Sequence, residues 1–162
     1  MRAHAAAALL LGTLHATTAA AQAADSAFEE HLLKQLSCKS DPDPTAVLLF
    51  LSKTKRIVLD KGDKIDSETC WSVEHELTVA GAVFSHVCAS AEDPLLIYLF
   101  PELYWRGPGT SAGTGLRLVT DMDLDALRGW ATKELGDGPY QVEPASSTNG
   151  ASEVFCNNLW RR

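Results

Sequence analysis

Cysteine spacing limits this chain more than any other feature: there are four, Cys38, Cys70, Cys88 and Cys156, with no C-x-x-C among them. A zinc knuckle or a thioredoxin-like redox centre needs two sulfurs presented by one short turn, so the spacing disfavours both. An even count behind an export signal reads instead as paired structural disulfides. Such a signal is present: Arg2, an apolar run from Ala5 to Leu14, then small residues ending in Ala21-Gln22-Ala23. Residues 1–23 are expected to be a cleaved leader and residues 24–162 one exported domain, periplasmic or secreted. The apolar run is shorter than the roughly 20 residues that a membrane span requires, and no cysteine follows it closely enough to take a lipid.

The formal net charge of −7 falls further when Arg2 leaves with the leader. Nucleic acids are bound by clustered Lys and Arg, so this balance speaks against a nucleic-acid partner and is compatible with a basic protein partner.

Local signals give an order of elements. Ser26-Ala27-Phe28-Glu29 has the spacing of a capping box, and Phe28, Leu32 and Leu36 form the stripe of a first helix ending near Ser37. Asp43 as N-cap and Pro44 at the first helical position start a second helix that turns Val47, Leu48, Phe50 and Leu51 inward. Arg56 to Asp60 is expected to be a short strand before a charged turn at Lys61-Gly62-Asp63-Lys64. Trp71, Val73, His75, Leu77 and Val79 alternate with polar residues, the pattern of a half-buried strand, and Ala82 to Ala89 returns after a turn at Ala80-Gly81. The apolar run Leu95 to Phe100 reads as a buried strand, with a short helix from Pro94 as the alternative. Leu116 to Thr120 is a further strand. Thr120 or Asp121 is expected to cap a third helix bearing Leu124, Leu127, Trp130, Ala131 and Leu135 and stopped by Gly136. Tyr140 to Glu143 and Glu153 to Asn157 are short strands. The sum is an α+β fold: a mainly antiparallel sheet with about three helices packed on it, stapled by disulfides.

The hairpin sets a puzzle. A two-residue loop places Val79 opposite Ala82, Leu77 opposite Phe84, His75 opposite His86 and Val73 opposite Cys88. Cys70 and Cys88 then lie on different faces, so a bridge between them needs a bulge or another loop, and the pairing stays open.

No motif spells out a reaction. G-x-S-x-G and H-E-x-x-H are absent, and Asp121, Asp123 and Asp125 lack the glycine and glutamate of a calcium loop. Neither a cofactor nor a metal is called for. The unusual stretch is Tyr104 to Gly115, rich in glycine. It lacks a P-loop lysine, which removes a nucleotide site, but a narrow loop with an aromatic and arginine base suits insertion into a partner's cleft. Tyr104, Trp105, Arg106, Gly107, Gly109, Thr110, Ser111 and Arg117 are the expected contact residues. Ser111 to Gly115 is similar to the Ser- and Gly-rich insertion loop of periplasmic lysozyme inhibitors, a likeness confined to those residues that assigns no family. The leading expectation is an exported binding or inhibitory protein without catalysis. The alternative is a small exported enzyme or ligand-binding domain with a site near His75, His86 and Arg117.

Overall fold

The computed structural model describes residues 11–107 and 113–161. Its sheet has six strands, all paired antiparallel, built from β1 (Asp63–Ile65), β2 (Glu68–Val79), β3 (Ala82–Ser90), β4 (Gly115–Thr120), β5 (Gln141–Pro144) and β6 (Ser152–Asn157) in the spatial order β1-β2-β3-β4-β6-β5. The helices are α1 (Leu11–Leu36), α2 (Pro44–Lys53), α3 (Pro94–Leu99) and α4 (Leu124–Leu135). One apolar core joins Leu32 and Leu36 of α1, Val47, Leu48 and Leu51 of α2, and Leu127, Trp130 and Leu135 of α4 to Trp71, Val87, Leu116, Leu118 and Val154 of the sheet. The expected disulfide-stapled α+β fold is the fold observed. Among the described residues, no helix is long and apolar enough to cross a membrane.

Two helix starts follow local chemistry. The Asp43 carboxylate accepts from the Ala46 amide with Pro44 at the first position of α2, and the Asp123 carboxylate accepts from the Ala126 amide of α4. Asp123 thus replaces the expected Thr120 or Asp121, while Gly136 ends α4 at φ 70° as foreseen. The first helix differs more. It is already helical at Leu11, the first described residue, rather than starting at Ser26, since residues 13–27 are alanine-rich and hold no proline or glycine. The capping box at Ser26 is not formed, for Ser26 lies inside the helix and the Glu29 carboxylate instead accepts from the Ala80 amide. Gln22 to Ala27 are exposed, and the buried Phe28 that follows them stacks on Phe50 at 4.0 Å.

Beyond α2, Arg56 to Asp60 does not form the expected strand. It runs along β2 as an irregular edge, where the Glu74 amide donates to the Arg56 carbonyl at 2.8 Å and the Trp71 indole to the Leu59 carbonyl at 3.0 Å. Its last two residues already belong to a one-turn 3-10 helix at Leu59–Lys61, and β1 occupies part of the expected charged turn. The run after Asp93 is helix α3 rather than a buried strand, because the Asp93 side chain caps the Leu95 amide and Pro94 is set for a first helical turn.

The hairpin puzzle resolves by a bulge. Ala80 and Gly81 make the turn with φ 44° and 78°, the paired positive values of a type I′ turn, and Val79 faces Ala82 and Leu77 faces Phe84. Farther on, Ser72 faces His86 and Cys70 faces Cys88, so β2 carries Val73, Glu74, His75 and Glu76 against Ser85 alone. The surplus is odd in number, and side chains alternate with period two, so it restores Cys70 to the face of Cys88. The two sulfurs are bonded, and Cys38 at the end of α1 is bonded to Cys156 of β6. The expected pairings of His75 with His86 and of Val73 with Cys88 are overturned by the same bulge.

Candidate functional site

The segment after α3 begins inside the protein. Leu103 and Tyr104 are buried, and the Tyr104 hydroxyl shares a short hydrogen bond with the Thr45 hydroxyl of α2. Burial, with the Asp43 charge adding to it and the Thr45 bond opposing, pushes the Tyr104 phenol up to about 12. Tyr104 is therefore an anchor, and its side chain is not part of any contact surface.

At Trp105 the chain reaches the surface. The indole is 41% exposed and carries the Lys64 ammonium over its ring at 4.9 Å, a cation–π contact. Arg106 is exposed beside it. Gly107 then passes so close to the β1–β2 turn that an added Cβ would lie 1.8 Å from the Asp66 carbonyl oxygen. Only glycine fits there, and the requirement fixes where the loop leaves the body. On its return, the Thr114 amide donates to the Asn158 side chain at 3.0 Å and the Asn158 amide to the Thr114 carbonyl at 3.1 Å. Gly109, Thr110 and Ser111 lie outside the described residues.

Arg117 stands elsewhere, on the sheet face away from the helices. Cys88 and Phe155 are its neighbours in register, and its guanidinium lies 4.1 Å above the Phe155 ring. It bonds the fully buried Glu153 carboxylate, reaches Glu68 at 3.2 Å and stands 3.7 Å from Glu143. Its charge is balanced within the fold, so it is not available to anchor a partner's anion. Burial holds the Glu153 carboxyl above its ordinary range, with Arg117 opposing and Glu143 adding to the shift. Sequence reading missed these acids because they sit on β2, β5 and β6, and only the strand order brings them to one arginine.

His75 is exposed on the bulge, whereas His86 is half-buried opposite Ser72 and Val119, with Nδ1 3.0 Å from the Ser85 hydroxyl. The imidazoles do not form a facing pair. Among the described residues, no group of three or more His, Cys, Asp or Glu side chains is arranged to hold a metal ion. Compared with protein-family models, with curated proteins and with solved structures, the chain matches none of them.

Proposed function

We propose that this protein is an exported binding protein, inhibitory in character, which contacts a protein partner through the Tyr104–Gly115 segment and carries out no chemistry of its own. The pair Trp105 and Arg106 carries the reading. Interfaces concentrate binding energy in Trp, Tyr and Arg side chains that are already fixed before the partner arrives. Trp105 meets that condition, set between the buried Tyr104 and the glycine-only passage at Gly107 and held against Lys64. Tyr104 serves this surface as an internal support rather than as a contact, and Arg117 lies apart from it among Glu68, Glu143 and Glu153.

Export to the periplasm or the exterior through removal of residues 1–23 belongs to the same reading. Two disulfides suit an oxidising compartment. A cut next to Ala24 falls among the exposed residues Gln22 to Ala27, ahead of the packed Phe28.

The test is retention of proteins from a periplasmic extract and a culture supernatant on the immobilised, oxidised protein, with Trp105→Ala/Arg106→Ala alongside. A partner held by the natural surface and lost from the variant, at an unchanged thermal midpoint, is expected. Equal retention of that partner by both forms would refute the reading.

A further inference from the structure

The three most exposed large apolar side chains among the described residues all belong to α3: Tyr98 at 81%, Leu95 at 61% and Leu99 at 54%. The opposite side of this helix, Leu96 and Ile97, packs with Phe100 against the core, so α3 is held firmly with its apolar outer side in water. Contiguous exposure of this kind marks an interaction surface. In sequence the patch is flanked by Glu92 and the capping Asp93 on one side and Glu102 on the other, and from Ala91 to Trp105 there is no basic residue. One turn beyond α3, Glu102 also stands on the rim of a cleft of about 490 Å³, whose floor is Ile57, Val58 and Leu59 and whose rim adds Asp60, Glu74 and Lys55. The β2 bulge places Glu74 there, 3.8 Å from Lys61.

From the apolar centre and the mostly acidic rim, we infer that α3 and the adjoining cleft form a second docking surface, which takes a basic amphipathic segment of a protein partner. Apolar side chains of that segment cover Leu95, Tyr98 and Leu99 and enter the cleft, while its Lys or Arg residues meet Asp60, Glu74 and Glu102. The net negative charge of the chain steers such a segment and repels an acidic one. Trp105 and Arg106 do not line this cleft.

The probes are two amidated synthetic peptides of equal length, one alternating leucine with lysine and one alternating leucine with glutamate. Each is titrated at low salt into the isotope-labelled, disulfide-bonded chain and followed by amide chemical shifts. The lysine peptide is expected to move the amides of Leu95 to Phe100, Glu102, Val58 to Asp60 and Glu74. The substitution Asp60→Lys/Glu74→Lys/Glu102→Lys is expected to weaken it at least tenfold, and Trp105→Ala/Arg106→Ala to leave it unchanged. Equal binding of the glutamate peptide, shifts scattered over all acidic surfaces, or an affinity indifferent to charge reversal overturns the inference. Concentration-dependent shifts of the same amides without peptide reassign the face to a second copy of the chain, and shifts induced only by zwitterionic lipid vesicles reassign it to a membrane surface; either result also overturns it.

Discussion

Removing the crosslink between Cys38 and Cys156 is expected to cost more stability than removing the one between Cys70 and Cys88, although the second lies in the middle of the sheet. A crosslink acts largely by restricting the unfolded chain, and the restriction grows with the logarithm of the loop closed. The sequence separations are 118 and 18. The chain-entropy relation converts them into about 5 and about 3 kcal/mol, a difference of about 1.7 kcal/mol. All four sulfurs are buried, so replacing a cysteine pair by alanine also removes packing and blurs the comparison. The clean measurement keeps one bridge at a time. Cys70→Ala/Cys88→Ala retains the long bridge and Cys38→Ala/Cys156→Ala the short one, and each variant is unfolded in urea before and after reduction. Within one variant the sulfurs stay in place, so the oxidised-minus-reduced difference isolates the crosslink. Equal differences, or a larger one for the short bridge, would refute the entropic account and point to native-state packing as the source.

Arg117→Met is expected to cost about 3–5 kcal/mol at neutral pH, because Glu153 is left buried without its counter-charge. The raised Glu153 carboxyl contributes stability that is full below the ordinary carboxylate value and is lost as pH rises through its folded value. The cost of Arg117→Met should therefore shrink on acidification, and a pH-independent loss in denaturant titrations would count against this role. At the hairpin turn, Ala80→Gly should gain about 1 kcal/mol by relieving the left-handed conformation, while Glu29→Ala should lose about 1–2 kcal/mol by stranding the Ala80 amide; thermal unfolding of both variants checks the pair. The phenol of Tyr104 should ionise only near pH 12 in an ultraviolet titration, and its stabilising contribution, full below the ordinary tyrosine value near 10, should fade as pH rises through that point. Tyr104→Phe should abolish this late step. Gly107→Ala should destabilise by about 2 kcal/mol or more, because the added methyl meets fixed backbone rather than a side chain that can move.

What the sequence determined by itself are the features whose cause is local. Asp43-Pro44 opens α2 and Gly136 closes α4 because a cap or a positive φ is satisfied within a few residues of where it is written. Ala80-Gly81 fixes the turn and its first two pairings for the same reason. The tertiary structure decided everything that depends on neighbours distant in sequence. Six apolar residues from Leu95 to Phe100 suit a strand or a helix equally, and the Asp93 cap with the core beneath Leu96 and Ile97 chose the helix. The bulge in β2 cannot be read from alternation, which continues unbroken through His75. The segment Arg56–Asp60 lies along that edge and accepts from the Glu74 amide; without the bulge, Cys70 and Cys88 would face apart. Arg117 looked like a free cation beside a loop until the strand order set Glu68, Glu143 and Glu153 around it. Caps and turns answer to chain neighbours, whereas register, burial and charge pairing answer to whichever strand the fold lays alongside.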